Sequence, residues 1–173
     1  MKRLGSLCSA ASLLMLGIGM LLTPGAAKAQ DQGSELSKDW SIRIGVYAYQ
    51  SQTTRAQNGD IGFSGWVERT VYRGTIYDVL VGIGYSGWDR VYAVPIMVTG
   101  VLHYANLRYG GGVGYSFNKV LDGSGSNGTA LSLLLGYQFG RSKNPLSIDA
   151  RYLFLGGSNN ELDGLSITLG GTF

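Results

Sequence analysis

Leu165-Ser-Ile-Thr-Leu-Gly-Gly-Thr-Phe173 closes the chain, and it alternates without a break. Leu165, Ile167, Leu169, Gly171 and Phe173 fall on one face, and Ser166, Thr168, Gly170 and Thr172 on the other. A period of two is the mark of a β-strand with one apolar side. A soluble sandwich strand alternates in the same way. Seven earlier segments repeat the pattern, however, and the chain opens with a segment that directs export.

That segment is Met1 to Ala29. Lys2 and Arg3 precede an apolar stretch from about Leu13 to Leu22, and Ala27-Lys28-Ala29 supplies small residues around a cleavage point. The apolar core falls short of the roughly 20 residues a membrane helix needs. The expected domain layout is a signal peptide at 1–29 cleaved after Ala29, a short periplasmic tail at 30–39, and one barrel domain at 40–173. Cys8, the single cysteine, precedes the apolar core and leaves with the signal. The exported chain then has no disulfide, thiolate metal site or cysteine nucleophile.

Charge changes with the same cut. Lys2, Arg3 and Lys28 are three of the 14 basic residues and none of the 11 acidic residues lies in the signal, so the exported chain is formally neutral. Its sequence gives no support to nucleic acid as a partner. From Gln30 onward no run of 18 apolar residues occurs, which excludes helical spans; over the full chain glycine is abundant at 28 and proline scarce at 3. Export, glycine, tyrosine and repeated alternating segments of about ten residues together fit a transmembrane β-barrel.

Read in order, strand one runs from Trp40 to Gln50, with Arg43 among the inward residues because an arginine facing mid-bilayer lipid costs roughly 2–4 kcal/mol. Ser51 to Asp60 reads as a loop around Asn58-Gly59. Strand two, Ile61 to Tyr72, turns Glu68 inward and Arg69 outward near the Arg73-Gly74 turn, its register open. Strand three, Thr75 to Ser86, turns Asp78, Gly82 and Gly84 inward. Gly87 to Arg90 connects it to strand four, Val91 to Tyr104, whose outer face carries tyrosine at both ends. Strand five, Asn106 to Asn118, turns Arg108 and three glycines inward, and Val120 to Gly128 is a loop. Strand six is Thr129 to Gly140, followed by a polar turn through Pro145. Strand seven, Leu146 to Leu155, turns Asp149 and Arg151 inward, and Gly156 to Asp163 is the last loop before strand eight. The expected fold is all-β, an eight-stranded antiparallel up-and-down transmembrane barrel. Both termini then lie at the periplasmic end, and the connections after strands one, three, five and seven lie outside the cell.

Val94-Pro95-Ile96, Tyr109-Gly-Gly-Gly-Val-Gly-Tyr115, Leu135-Gly-Tyr-Gln-Phe139, Asp149-Ala-Arg-Tyr152 and the closing strand together resemble the small outer-membrane β-barrel superfamily of OmpW, OmpX and opacity-protein type. The resemblance spans essentially the whole exported chain. It implies residence in the outer membrane among lipid and lipopolysaccharide, delivery by periplasmic chaperones, and insertion by the barrel-assembly machinery, with Phe173 as the assembly signal. It implies no single activity, since similar proteins include adhesins, small-solute channels and barrels without an assigned role.

The candidate site is the set of inward charges, Arg43, Glu68, Asp78, Arg108, Asp149 and Arg151, read as an interior ion-pair network or as the lining of a gated polar path. Inward glycines such as Gly45, Gly82, Gly84, Gly110 and Gly136 leave room for close backbone approach or for a cavity admitting small apolar solutes. His103, the only histidine, sits in His103-Tyr-Ala-Asn106, which faintly resembles the His-x-Ser-Asn motif of outer-membrane lipid A deacylases with Ala105 in place of the nucleophile. The Gly110 to Tyr115 run lacks the helix that a phosphate-binding loop precedes. Asp122, Glu161 and Asp163 lack metal-ligand spacing, and no cofactor is expected. The sequence therefore points to a non-enzymatic barrel, structural or passing small or hydrophobic solutes, with surface adhesion through the outer loops as the alternative and lipid A modification as a remote one.

Overall fold

The alternating segments form strands, and the computed structural model, which describes residues 40–121, 125–139, 145–157 and 160–173, closes them into one barrel. The expected signal peptide and tail, Asp122 and most of the turn after strand six lie outside those residues. The strands are β1 (Trp40–Tyr49), β2 (Ile61–Arg73), β3 (Tyr77–Trp88), β4 (Val91–Tyr104), β5 (Leu107–Lys119), β6 (Gly125–Phe139), β7 (Leu146–Leu155) and β8 (Gly164–Thr172). Each pairs antiparallel with the next, and β8 returns to β1 from Ser41↔Thr172 through Tyr49↔Gly164. Closure leaves no open sheet edge, which a barrel in hydrocarbon requires. Phe173 completes the seam by exchanging backbone hydrogen bonds with Trp40 at 2.8 and 2.9 Å.

The period of two sorts the side chains. Ile44 and Leu133 on the outer face are each 60% exposed, whereas Arg43 and Leu134 beside them are 2% and 4% exposed. An apolar outer wall around a partly charged interior inverts the arrangement of a water-soluble protein and suits lipid. Aromatic pairs ring both ends of that wall. Tyr85 stacks on Tyr92 and Tyr115 meets Phe117 near the loops; Tyr72 stacks on Tyr77 and Tyr137 meets Phe139 near the termini. Amphipathic rings at these levels match the two polar interfaces of a bilayer.

The structure fixes the register of strand two, which the sequence left open, and redraws three other stretches. Strand two is in register from Trp40↔Arg69 to Ala48↔Ile61, with a shift between Thr70 and Tyr72 that skips Val71. Arg69 faces outward beside the Trp40 ring, 5.6 Å from its centroid, at the level where a long cation reaches the headgroups. Within the expected loop Ser51 to Asp60 lies a short helix, α1 (Gln52–Asn58), started by Ser51 as its N-cap and stopped at Gly59 with φ 89°. β3 begins at Tyr77 and runs on to Trp88, so the second outer connection shrinks to Asp89 and Arg90, with Asp89 at φ 49°. β6 starts at Gly125, because Ser126, Asn127 and Gly128 extend the ladder opposite β5 despite their loop-like composition.

Candidate functional site

An eight-stranded barrel is narrow enough for side chains from opposite walls to meet. Five of the six inward charges do so in a belt across the middle of the lumen. Arg43 on β1 places Nη1 2.6 Å from Glu68 Oε2 on β2 and Nε 2.5 Å from Asp149 Oδ2 on β7. Arg151 reaches the other Glu68 oxygen at 2.6 Å, and Arg108 on β5 reaches Asp149 Oδ2 at 3.2 Å. Ser41 accepts from Arg43 at 2.7 Å and Ser147 from Arg108 at 2.9 Å. The Arg151 guanidinium also lies 3.9 Å from the centroid of the Trp66 ring. Such charges persist out of water only when paired and hydrogen-bonded, and every carboxylate of the belt is held by two guanidiniums.

Asp78, the sixth, is elsewhere. It sits near the termini, 3.1 Å from His103 Nε2 and 3.8 Å from Arg73 Nε. The strand pattern turned Asp78 inward but gave no height within the lumen; Asp78 is the second residue of β3 and lines the cavity below the belt. His103 faces the same end, and Ala105 beyond it occupies the β4–β5 turn with φ 53°.

Glycines accommodate this interior by yielding space to larger neighbours. A Cβ on Gly82 would lie 2.6 Å from Glu68 Cγ, and one on Gly84 would lie 2.7 Å from the Trp66 ring. At Gly136 the space is taken by the Asp149 carboxylate, and at Gly170 by the Ile42 carbonyl and the Arg43 side chain. At Gly45, Gly110 and Gly114 the neighbouring strand's backbone takes it. Of the two expectations for the inward glycines, close backbone approach holds at Gly45, Gly110 and Gly114, while Gly82, Gly84 and Gly136 seat the belt and its aromatic partner instead of opening an apolar cavity.

Above the belt, toward the loops, the lumen is apolar. Tyr47, Trp66, Met97, Leu153 and Leu162 belong to one buried cluster. The Tyr47 hydroxyl donates to the Leu162 carbonyl, and Tyr49 donates to the Val91 carbonyl at 2.9 Å. α1 lies over this end: Thr54 donates to the Glu161 carbonyl at 2.9 Å and Asn58 to the Trp88 carbonyl at 2.9 Å. Asp163 accepts from the Leu155 amide at 2.7 Å, and burial pushes its carboxyl above the ordinary range, partly offset by that bond. Leu162 and Thr54 escaped sequence reading because both sit in polar loop segments; only the Ser51 cap and Gly59 stop hinted at local structure there.

Below the belt the lumen is polar. A cavity of about 470 Å3 reaches from Arg43 and Arg108 down to Thr75, Pro145 and Phe173 at the terminus rim. Asp78, His103, Gln138 and Thr172 also line it, as does Leu80, which belongs with Val101 and Leu134 to a smaller apolar cluster.

No protein-family model and no curated protein sequence matches this chain. Among solved structures it is similar to Neisserial surface protein A, with TM-score 0.58 and 16% identity over 82% of this chain and 98% of that one. The attachment invasion locus protein Ail of Yersinia pestis, solved with the heparin analogue sucrose octasulfate, is also found, with TM-score 0.34 and 15% identity over 79% of this chain and 97% of that one. Closed eight-strand topology, apolar wall, aromatic rings and the first of these likenesses agree: the chain has the fold of the small outer-membrane β-barrels.

Proposed function

We propose that this protein is a non-enzymatic integral barrel of the outer membrane whose lumen is closed, and which acts structurally or at its surface instead of passing solutes through itself. The observation that carries the reading is the stacking of two different seals in the lumen, the ion-paired belt and the packed apolar cluster above it. A polar solute entering from the termini meets the belt, and crossing it would separate buried ion pairs. An apolar solute meets the same charges before it reaches the apolar cluster. His103 is engaged with Asp78 at the terminus end, and alanine occupies the place of a nucleophile two residues on. In this reading the signal is cleaved after Ala29, periplasmic chaperones deliver the chain, and Phe173 presents the closing strand to the barrel-assembly machinery.

The test is flux into liposomes carrying the refolded mature protein, using a polar sugar and a long-chain apolar probe. Neither should enter faster than into empty vesicles, provided a migration shift on boiling shows the protein folded. Entry of either above background would sink the closed-lumen reading. A surface-interaction role is favoured by one further observation: α1 is tied through Thr54 to the last connection and through Asn58 to the end of β3, which gives the loop end a fixed shape.

A further inference from the structure

We infer that the cavity at the terminus end is a binding site for a small oxyanion, a carboxylate or phosphate group, seated against Arg108 and Arg43. Among the described residues the belt contains three guanidiniums, Arg43, Arg108 and Arg151, and two carboxylates, Glu68 and Asp149. One positive charge is therefore uncompensated within a protein interior, where such an imbalance is costly. A buried Nη1 of Arg151 is also without a hydrogen bond, but it is Arg108 that borders the cavity. Arg108 is only 6% exposed, its buried Nε makes no hydrogen bond, and its Nη1 shares the Asp149 carboxylate with Arg43, at 3.2 and 3.4 Å from the two oxygens. Arg108 and Arg43 both line the cavity.

The remaining lining suits an anion bound by hydrogen bonds as well as charge. Ser41 and Ser147 stand beside the two guanidiniums, and Thr70 and Thr172 add hydroxyl donors. A planar guanidinium fork matches carboxylate and phosphate oxygens, and a space of this volume lies in the range of small-ligand pockets. Asp78 lies at the far side, held by His103 and Arg73. This inference does not depend on which compartment the termini face or on whether the lumen conducts.

The experiment uses the full mature chain refolded in a nonionic detergent at fixed chloride concentration. Inorganic phosphate and succinate are titrated calorimetrically. Saturable one-to-one binding of at least one of them is expected. Arg108→Gln should weaken it roughly 10- to 100-fold, the range for a lost charge-assisted hydrogen bond. It should do so without unfolding the barrel, because it leaves two guanidiniums against two carboxylates. Gln138→Glu, which adds a carboxylate to the partly exposed lining, should weaken binding independently of the belt. Displacement of phosphate by dihexanoyl phosphatidylglycerol at lower concentration would identify a lipid headgroup as the source of the oxyanion, and failure to displace it would identify a free anion. Absence of saturable heat from folded protein, or affinity unchanged in both variants, would overturn the assignment.

Discussion

The loop half and the terminus half of the lumen are built on opposite principles. In the loop half, tyrosine, tryptophan, methionine and leucine fill the space, and Tyr47, Tyr49 and Thr54 each donate to a backbone carbonyl. In the terminus half, serines, threonines and charges surround a cavity, and two arginines of the belt form its ceiling. The apolar half can be sealed by packing alone, since dispersion and burial need no partner of particular geometry. The polar half cannot be sealed so, because each charge needs a counter-charge and each N–H an acceptor. The belt is the boundary between them, and the whole structure is most sensitive there.

Glu68→Gln attacks that boundary and should have the largest effect. The substitution is nearly isosteric, but it leaves Arg43 and Arg151 sharing one neutral amide, with Asp149 as the belt's sole carboxylate among the described residues. Removing one partner of a buried pair costs about 3–5 kcal/mol, and urea unfolding of the protein from lipid vesicles should show a loss of that size. Arg108→Gln, a change of the same type that equalises the belt, should lose far less. Equal losses would mean that charge balance is not what the belt provides.

Thr54→Val probes the loop half, with a smaller expected effect. Valine keeps the shape and removes the donor to the Glu161 carbonyl, at a cost of about 1 kcal/mol. The loss should be local: faster proteolytic cleavage or amide exchange in residues 156–163, with the barrel's urea midpoint moved little. If the midpoint instead falls as far as in Glu68→Gln, the cap is part of the barrel's core and the two halves are not independent.

What could be read from the sequence follows from the same division. Inward and outward faces of every strand were legible, because a period of two survives glycine and tyrosine substitutions and Arg43, Glu68, Arg108, Asp149 and Arg151 all fall on the polar side. Which of them touch was not. Arg43 lies opposite Trp66 and Gly170 in the ladders, yet its ionic partners are on β2 and β7, a pairing set by barrel stagger and narrow diameter. Asp78 has the same pattern signal as Asp149 and a different height. α1 was illegible for a different reason: Gln-Thr-Thr-Arg-Ala-Gln-Asn has no apolar stripe, and its one buried residue is a threonine. A seven-residue helix of that composition is held by its caps and its tertiary bonds, which local propensity does not encode.

The smallest effect belongs to pH, and it separates the halves by a single carboxyl. Asp163, at the entrance to β8, has its carboxyl pushed up by burial at the loop end. A raised value in the folded state means that folding favours the protonated form. The associated stability is fully present below the unfolded carboxyl value, near pH 4, and is lost as pH rises through the higher folded value. Asp163→Asn keeps an acceptor for the Leu155 amide and removes the titration. The difference in urea midpoint between the native protein and this variant should therefore change over the interval above about pH 4, with the variant gaining relative stability as the native carboxyl ionises. Taking the difference cancels the titrations common to both proteins, including those around the terminus cavity. A difference that stays flat with pH would show that Asp163 ionises as freely in the folded protein as in the unfolded chain, and that the loop half is more open to water than its packing implies.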